Sequence, residues 1–474
     1  MNNTVMIWIV LPVLMGIALS FVRRWQRLYH WLSMLLPLLL TGLAFIFSSD
    51  LALDLAGRRF VMADSLTVLG RTIQITADQL GMVGLLYFLC FLWNVVRRLF
   101  PVSQWFGSLS LVVTGLWVLV QFLNPFIYSA VVIEFFALLS VPLLSPRGTP
   151  AKSGIIRFLS MQTIALPLIL LSGWMVSGIE TSPSAESLVL RGALLVSLGF
   201  VIWAGIFPLH SWLPMLTEES QPLVSTFLLT MMQLGLVFFF LKFFNQYGWL
   251  RNLPQMNLSL KWIGALCILA AGLIAAFQSN LNRLLGYLFM AEVGYTLLSI
   301  ALRAAGGLEV LAMTLLPRSL GFWMMGFSLS MLQQAADRHL LTLENLRGYL
   351  WRYPASSVLL LFGILNLTGM PLFGLYPSKH ILWNLLPIDT LPLSLLVAVG
   401  VLGMIVFFLR LFDTFIHQTP GSAAESASET KTETVSLIVS VVIIVAIMFV
   451  SGLFPSLLSA PTQNILISFQ NLMR

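Results

Sequence analysis

Residues 207 to 214 read FPLHSWLP, and they interrupt a run of apolar residues long enough to cross a bilayer. Two prolines within this stretch remove backbone donors and free carbonyls, and lipid offers those groups no partner. The interruption predicts a helix broken at membrane depth beside a polar, hydrated interior; the plainer alternative is a proline kink in a packed helix. A second interruption, GMPLFGLYPSKH at 369 to 380, falls in a later apolar run. Paired interruptions of this kind mark discontinuous helices in chains built from repeated halves, so the second break favours the hydrated reading of the first. Each break lies about four spans into its own unit, which places unit A at 104 to 243 and unit B at 260 to 416. The helix count within each unit is odd, five by this reading, so the two units are expected to be inverted relative to one another.

Composition supports the same class. Of 474 residues, 58% are hydrophobic and 9% charged, and the mean hydropathy is +0.94. Such a chain is not a soluble globular protein. Crossing about 30 Å of hydrocarbon takes about 20 apolar residues, and windows of that length recur about fourteen times. They fall near 5–22, 29–46, 79–96, 104–122, 125–145, 156–178, 187–206, 222–243, 260–279, 284–302, 308–332, 355–370, 393–416 and 435–454, with a half-span at 378–390. Because the runs are continuously apolar rather than alternating, they predict helices and not barrel strands. The expected fold is an all-α polytopic membrane protein of about fourteen transmembrane helices, with two inverted five-helix repeats that each contain a broken helix. Helices 1 to 3 occupy 1–103, a polar linker 417–434, and a last helix with its tail 435–474.

The first span has no basic segment before it and no small-residue cleavage site, so it reads as a retained helix. Arg23, Arg24 and Arg27 follow span one, Arg97 and Arg98 span three, and Arg147, Lys152 and Arg157 span five. Those loops are expected on the cytoplasmic side and both termini outside. The net charge of +7 largely reflects this bias and gives no argument for a nucleic-acid partner.

Outside the spans, 47–78 with its alternating RTIQIT at 71–76 predicts a small hairpin on the outer face. The segment 333–354 has helical spacing and mixed charge and predicts an amphipathic segment on the cytoplasmic face. QTPGSAAESASETKTET at 418–434 predicts a disordered linker. Cys90 and Cys267 lie far apart in apolar spans and read as small hydrophobic fillers; two thiols cannot hold an iron–sulfur cluster that needs four ligands. No Rossmann glycine pattern, Walker loop or H-E-x-x-H is present. No cofactor or metal site is therefore expected in this chain.

An ionisable side chain in a spanning helix costs on the order of 2.5 to 3.5 kcal/mol on insertion scales, which makes each one a functional candidate. The candidates are Glu134 in span five, His210 at the first break, Glu292 in span ten, Arg318 in span eleven, and Lys379 with His380 at the second break. Together they could form a chain of protonatable groups along the bilayer midplane. The structural alternatives differ for each. Arg318 is permanently charged and cannot relay protons by releasing its own, and its structural alternative is a fixed counter-charge holding a water or a carboxylate; Glu292 is either a structural ion-pair partner of an arginine or a relay site. His210 is either a relay or a hydrogen-bonder to freed carbonyls. Lys379 is the best titrating candidate, because desolvation and neighbouring charge can switch a lysine. Glu218 and Glu219 read as solvated loop residues.

FPLHSWLP followed by ESQPLVSTFLL resembles the signature of the antiporter-like subunits of respiratory complex I, membrane-bound hydrogenases and Mrp-type antiporters. SNLNRLLGYLFMAEVGY at 279–295 and NLTGMPLFGLYPSK at 366–379 are similar to later landmarks of that family, the M and N types most of all; after Phe454 there is no room for the lateral helix of the L type. The resemblance implies a fourteen-helix subunit that moves protons through a glutamate and lysines. It implies other membrane subunits of the same complex as partners, further antiporter-like ones among them, and iron–sulfur clusters with quinone or a hydrogenase centre in partner subunits. The setting it implies is a bacterial or archaeal cytoplasmic membrane. Lys379 matches the second-half lysine, and Arg318 stands where a lysine is usual. In the first half the resemblance departs: the family glutamate falls on Ala137, one turn from Glu134, and the two usual lysines fall on Trp203 and Gln233. With neither position titratable, no charged partner for Glu134 is expected there, and conduction in unit A is expected to be impaired or rerouted.

Three functions fit. The chain could be a proton-translocating subunit of a redox-driven complex, part of a cation/proton antiporter or proton-coupled bicarbonate uptake system, or a scaffold that passes no protons. The absence of a carboxylate cage in the sequence weighs against sodium as the coupled ion.

Overall fold

The computed structural model describes residues 5–48, 53–55, 58–60, 64–68, 70–76, 79–100, 102–145, 152–181, 186–336, 340–386, 391–417 and 435–456, with Ile465, Phe469 and Leu472. The linker expected at 418–434 lies outside the described residues. Helices dominate: α1 (Leu11–Val22), α2 (Gln26–Ser48), α3 (Leu80–Val96), α4 (Phe106–Phe122), α5 (Ile127–Leu144), α6 (Ser153–Thr181) and α7 (Glu186–Ala204). Then come α8 (Trp212–Glu219), α9 (Pro222–Gln246), α10 (Gly248–Arg251), α11 (Pro254–Phe277), α12 (Leu281–Ala301) and α13 (Gly307–Ala336). The series ends with α14 (Tyr349–Arg352), α15 (Pro354–Thr368), α16 (Tyr376–Asn384), α17 (Leu391–Ile416) and α18 (Val435–Leu453). Among the described residues, ten helices are long and apolar enough to cross a membrane, and four shorter apolar ones accompany them. The chain is a mostly helical polytopic membrane protein.

Why these residues form these helices follows from solvent. Continuous apolar runs can satisfy their backbone only internally, and prolines open α9, α11 and α15 at a first turn where no N–H partner is needed. The polarity of the surface is inverted relative to a soluble protein. On α17 the exposed residues Leu391, Leu395, Val399, Leu402, Val406 and Leu409 recur at helical spacing, so its outer stripe is apolar. Polar groups instead collect inside: 94% of the apolar window of α12 is buried, and Glu292, Thr296 and Ser299 lie on that helix.

Two compact units organise the packing. One comprises Met1–Gly205, Leu228–Met256 and Pro461–Arg474, the other Ile206–Phe227 and Asn257–Ala460. The division passes through the first break and through α9, so α8 belongs with the second unit. In the first unit α2 lies along α3, α1 along α4, and α4 to α7 pack in sequence. In the second, α8 lies on α12, and α13 is flanked by α12, α15 and α16.

The hairpin expected in 47–78 is present. Strand β1 (Leu53–Leu55) pairs antiparallel with β2 (Arg58–Phe60), and β3 (Asp64–Val68) with β4 (Arg71–Ile75). β4 also pairs with β5 (Leu123–Asn124) at the end of α4, which ties the ribbon to the first unit. The amphipathic segment expected at 333–354 is built from several short elements. α13 ends at Ala336; Thr342 is extended and bridges Asn280, with Leu281 N–H donating to Leu341 O and Leu343 N–H to Ser279 O. Backbone pairing with the start of α12 competes there with helix formation, and Gly348, at φ 74°, starts the short α14.

Candidate functional site

Both interruptions are real breaks. α7 stops at Ala204 and α8 starts at Trp212; α15 stops at Thr368 and α16 starts at Tyr376. Gly369, at φ 78°, ends α15: its N–H donates to Asn366 O, and Met370 N–H to Leu365 O. That pair of bonds is a Schellman motif and satisfies two of the last carbonyls of the helix. A third, Leu367 O, is left for a side chain. The Lys379 ammonium reaches back from α16 and donates to it.

The same ammonium donates to Glu292 Oε1 of α12 at 2.7 Å. Both side chains are buried, at 8% and 2% exposure. The Lys379 nitrogen also lies 3.9 Å from the centre of the Tyr295 ring, one turn beyond Glu292, and a cation over an aromatic face is stabilised there. Arg318 of α13, fully buried, donates to Thr296 Oγ1 at 2.8 Å, and Thr296 donates in turn to the Glu292 backbone carbonyl at 2.9 Å. Thus α12 presents Glu292, Tyr295 and Thr296 on one face to two cations from two other helices. Glu292 Oε2 is buried without a partner, so the carboxylate keeps an open acceptor. A substitution at Gly369 would put a Cβ 2.6 Å from Lys379 Cδ, so the glycine permits both the turn and the lysine's path. Beside the pair lies a cavity of 200 Å³, lined in part by Tyr295, Thr368, Gly369, Tyr376, Lys379 and His380.

Of the residues singled out from sequence, Glu292, Arg318, Lys379 and His380 come together. His380 shares the cavity, with its ring 5.6 Å from that of Tyr376 and Nδ1 3.5 Å from Asn384 Nδ2. His210 takes other neighbours: its ring stacks on Phe207 at 5.5 Å and lies 6.2 Å from Tyr287 of α12. The short α8 that follows it seats closely on α12, where a Cβ at Gly286 would fall 2.5 Å from Pro214 N. Glu134 belongs to the first unit, where Oε1 accepts from Thr163 Oγ1 at 2.7 Å and Oε2 is buried without a partner. Ala137 is buried one turn on. Trp203 is locked among Phe200 and Phe239, at 5.8 Å and 6.3 Å, and Gln233 is buried in α9.

Several residues escaped the reading of the sequence. Glu218 is not a solvated loop residue: it lies on α8, pairs with Arg283 Nε at 2.6 Å and accepts from Asn280 Nδ2 at 3.0 Å. Lys242 of α9, at neither of the two family positions, is half-buried and donates to Gln121 O at 2.7 Å. Asn366, fully buried, joins the second break to α13: Nδ2 donates to Pro317 O at 2.9 Å and Oδ1 accepts from Leu375 N–H at 3.2 Å. Asn366→Leu is expected to leave that carbonyl and N–H unpaired and to destabilise the fold by about 1–3 kcal/mol for each. A lowered unfolding temperature in detergent checks it; an unchanged one would show that water replaces the amide. Among the described residues no group of three or more His, Cys, Asp or Glu could hold a metal ion.

Residues 174–406, which carry both breaks, match the family model described as NADH:quinone oxidoreductase/Mrp antiporter, transmembrane. Across that segment the chain belongs to the NADH:quinone oxidoreductase/Mrp antiporter family. Curated relatives include NADH-quinone oxidoreductase subunit N of Deinococcus radiodurans, 26% identical over 48% of this chain and 46% of the relative. The same subunit of Ectopseudomonas mendocina is 28% identical over 52% of each. The chain thus spans about half the length of the curated relatives it matches. Among solved structures, a chain of the Mrp complex from Dietzia sp. superposes with a TM-score of 0.83 at 13% identity over 100% of both chains. A chain of respiratory complex I from Thermus thermophilus with bound NADH does so with 0.76 at 19% identity, over 99% of this chain and 100% of that one. A chain of the archaeal membrane-bound sulfane sulfur reductase gives 0.82 at 15% identity, over 100% and 98%. At such identities the likeness is one of fold.

Proposed function

We propose that this chain is a proton-translocating antiporter-like membrane subunit of a multi-subunit, redox-driven complex, embedded in a bacterial or archaeal cytoplasmic membrane with both termini outside. The observation that carries the reading is the buried Lys379–Glu292 pair, held at a helix break within reach of a fixed guanidinium. A lysine salt-bridged to a glutamate is a proton site with two states. In one, Lys379 is ammonium and leans on Glu292 and Leu367 O. In the other it has passed a proton to water in the adjoining cavity, and the positive charge of Arg318, anchored on Thr296 one turn from Glu292, stabilises the carboxylate. Movement of Lys379 between the two exposes the proton to different sides, and His380 is placed to accept it next.

This reading takes the chain as about fourteen spanning helices with two inverted repeats at 104–243 and 260–416, the second carrying the live path. In the first, Trp203 and Gln233 replace the family lysines, and Glu134 conducts by a rerouted path or not at all. Redox cofactors, iron–sulfur clusters with quinone or a hydrogenase centre, are assigned to partner subunits; the membrane partners include further antiporter-like chains.

The test is purification of the native complex through a tag on this chain, identification of co-purifying chains by mass spectrometry, and reconstitution for a proton-pumping assay. Redox partners and coupled pumping support the reading. Partners without redox centres would replace it by a cation/proton antiporter or bicarbonate uptake system, and redox partners with pumping insensitive to Lys379→Ala would make the chain a scaffold.

A further inference from the structure

The first unit holds a second polar cavity, 370 Å³ in volume, lined by Gln79 and Met82 of the α3 end, Gln121 of α4, and Phe238, Lys242, Asn245 and Gln246 of α9, with Phe469. The volume admits on the order of ten waters, and Gln246 is exposed, so the cavity meets the surface there. Lys242 lies inside the last two turns of α9, in the run FFFLKFFNQ at 238–246. One of its three N–H groups donates to Gln121 O, and Gln121 is itself fixed by Nε2 donating to Gly235 O at 2.9 Å. Two ammonium donors then remain, and Asn245 Oδ1, on the same wall, is buried without a partner. Among the described residues, no other titratable group lines the cavity. Of the charged and titratable groups nearby, Arg251 of α10 donates to the Asn245 backbone carbonyl, and Tyr247 packs on Phe243 and Phe126.

A half-buried ammonium with spare donors, in a polar cavity whose wall also carries an unpaired amide oxygen, is a site for water, and an amine among waters can exchange protons with them. Neither family position, Trp203 or Gln233, offers such a group. We propose that Lys242 is a proton-binding site in the first half of the chain, loading and unloading through a water-filled cavity that opens at Gln246. The ammonium gives one proton to a cavity water, which becomes hydronium and leaves toward the surface; the neutral amine takes its next proton from a hydronium that arrives through the same waters, which is left as water. The Gln121 carbonyl holds the ammonium and releases the amine, since a neutral amine is the weaker donor. The proposal rests on the reading of the chain as a proton-translocating subunit and names the rerouted path in its first half.

The experiment uses the complex purified through a tag on this chain and reconstituted in vesicles, with Lys242→Met, Lys242→Arg and Lys379→Ala measured side by side. Protons moved per turnover are expected to fall about two-fold or more in Lys242→Met, the rest being carried elsewhere in the complex, because a lost relay group slows its own path by roughly 10²–10⁴. Lys242→Arg is expected to fall as far, since a guanidinium keeps its proton although it can still donate to Gln121 O. Wild-type stoichiometry in Lys242→Arg would overturn the proposal and leave Lys242 as a structural donor. Loss in Lys379→Ala without loss in Lys242→Met would overturn the inference alone; no loss in either would overturn the functional reading as well. Asn245→Cys, in a chain whose Cys90 and Cys267 are buried, provides a readout free of transport. It is expected to react with a membrane-impermeant maleimide within minutes, and protection as complete as that of the native cysteines would show the cavity dry and overturn the proposal even if the Lys242 variants failed to assemble.

Discussion

Lys379→Ala is expected to slow proton movement through this chain by on the order of 100-fold or more, the scale on which a positioned proton-transfer group contributes. Three contacts go with the ammonium: Glu292 Oε1 at 2.7 Å, Leu367 O at the break, and the Tyr295 face. The expected cost in stability is smaller than that of an orphaned buried charge, about 3–5 kcal/mol, because Arg318 of α13 donates to Thr296 on the same turn of α12 as Glu292 and the carboxylate can protonate. Water entering from the adjoining cavity can take over the Leu367 carbonyl. Lys379→Arg is expected to fold and assemble yet to pump no better than Lys379→Ala, since the guanidinium retains its proton. A dye-quench assay in proteoliposomes, normalised to turnover of the driving reaction, measures both. Pumping by Lys379→Ala at the wild-type ratio would sink the claim that the second half is the live path.

Much of this site could be read from the sequence because a bilayer makes local rules strict. Single prolines such as Pro142, Pro167 and Pro317 stay inside helices, but the clustered breakers at 207–214 and 369–377 mark the two breaks, and Glu292, Arg318 and Lys379 stand out because charge in an apolar run is costly. What the sequence does not carry is pairing. Lys379 and Glu292 are 87 residues apart, and nothing local says that α16 folds back to lay the amine on α12. Asn366 was passed over because one amide in NLTGM is unremarkable until its two backbone partners, Pro317 O and Leu375 N–H, are known. Lys242 was missed for a related reason. In LKFFNQ, close to a helix end, a lysine reads as one that snorkels to the interface; only the approach of Gln121, 121 residues earlier, makes it the wall of a cavity. Glu218 was misplaced because two prolines and two acids suggest a loop, whereas α8 continues to Glu219 and its acid is held by Asn280 and Arg283 at the start of α12.

The two charges that flank Glu292 make a sharper prediction about which of them the fold needs. Glu292→Gln leaves Lys379 and Arg318 facing one another's field with no carboxylate between them, both buried. Either the fold loses about 3–5 kcal/mol, as when one partner of a buried ion pair is removed, or Lys379 gives up its proton permanently, and in both cases translocation stops. Arg318→Met instead leaves the Lys379–Glu292 pair intact and electrically neutral. Its expected cost is that of one hydrogen bond to a charged group, about 1.5–3 kcal/mol, offset in part by the apolar fit of methionine in a fully buried position. Translocation is expected to persist but to slow, because the guanidinium no longer holds Glu292 when Lys379 moves away. Unfolding temperatures and pumping ratios of the two variants, measured on the same purified complex, test the ordering. If Arg318→Met proves the more damaging in both, Arg318 rather than Lys379 is the charge that Glu292 exists to balance, and the two-state pair is the wrong description of the site.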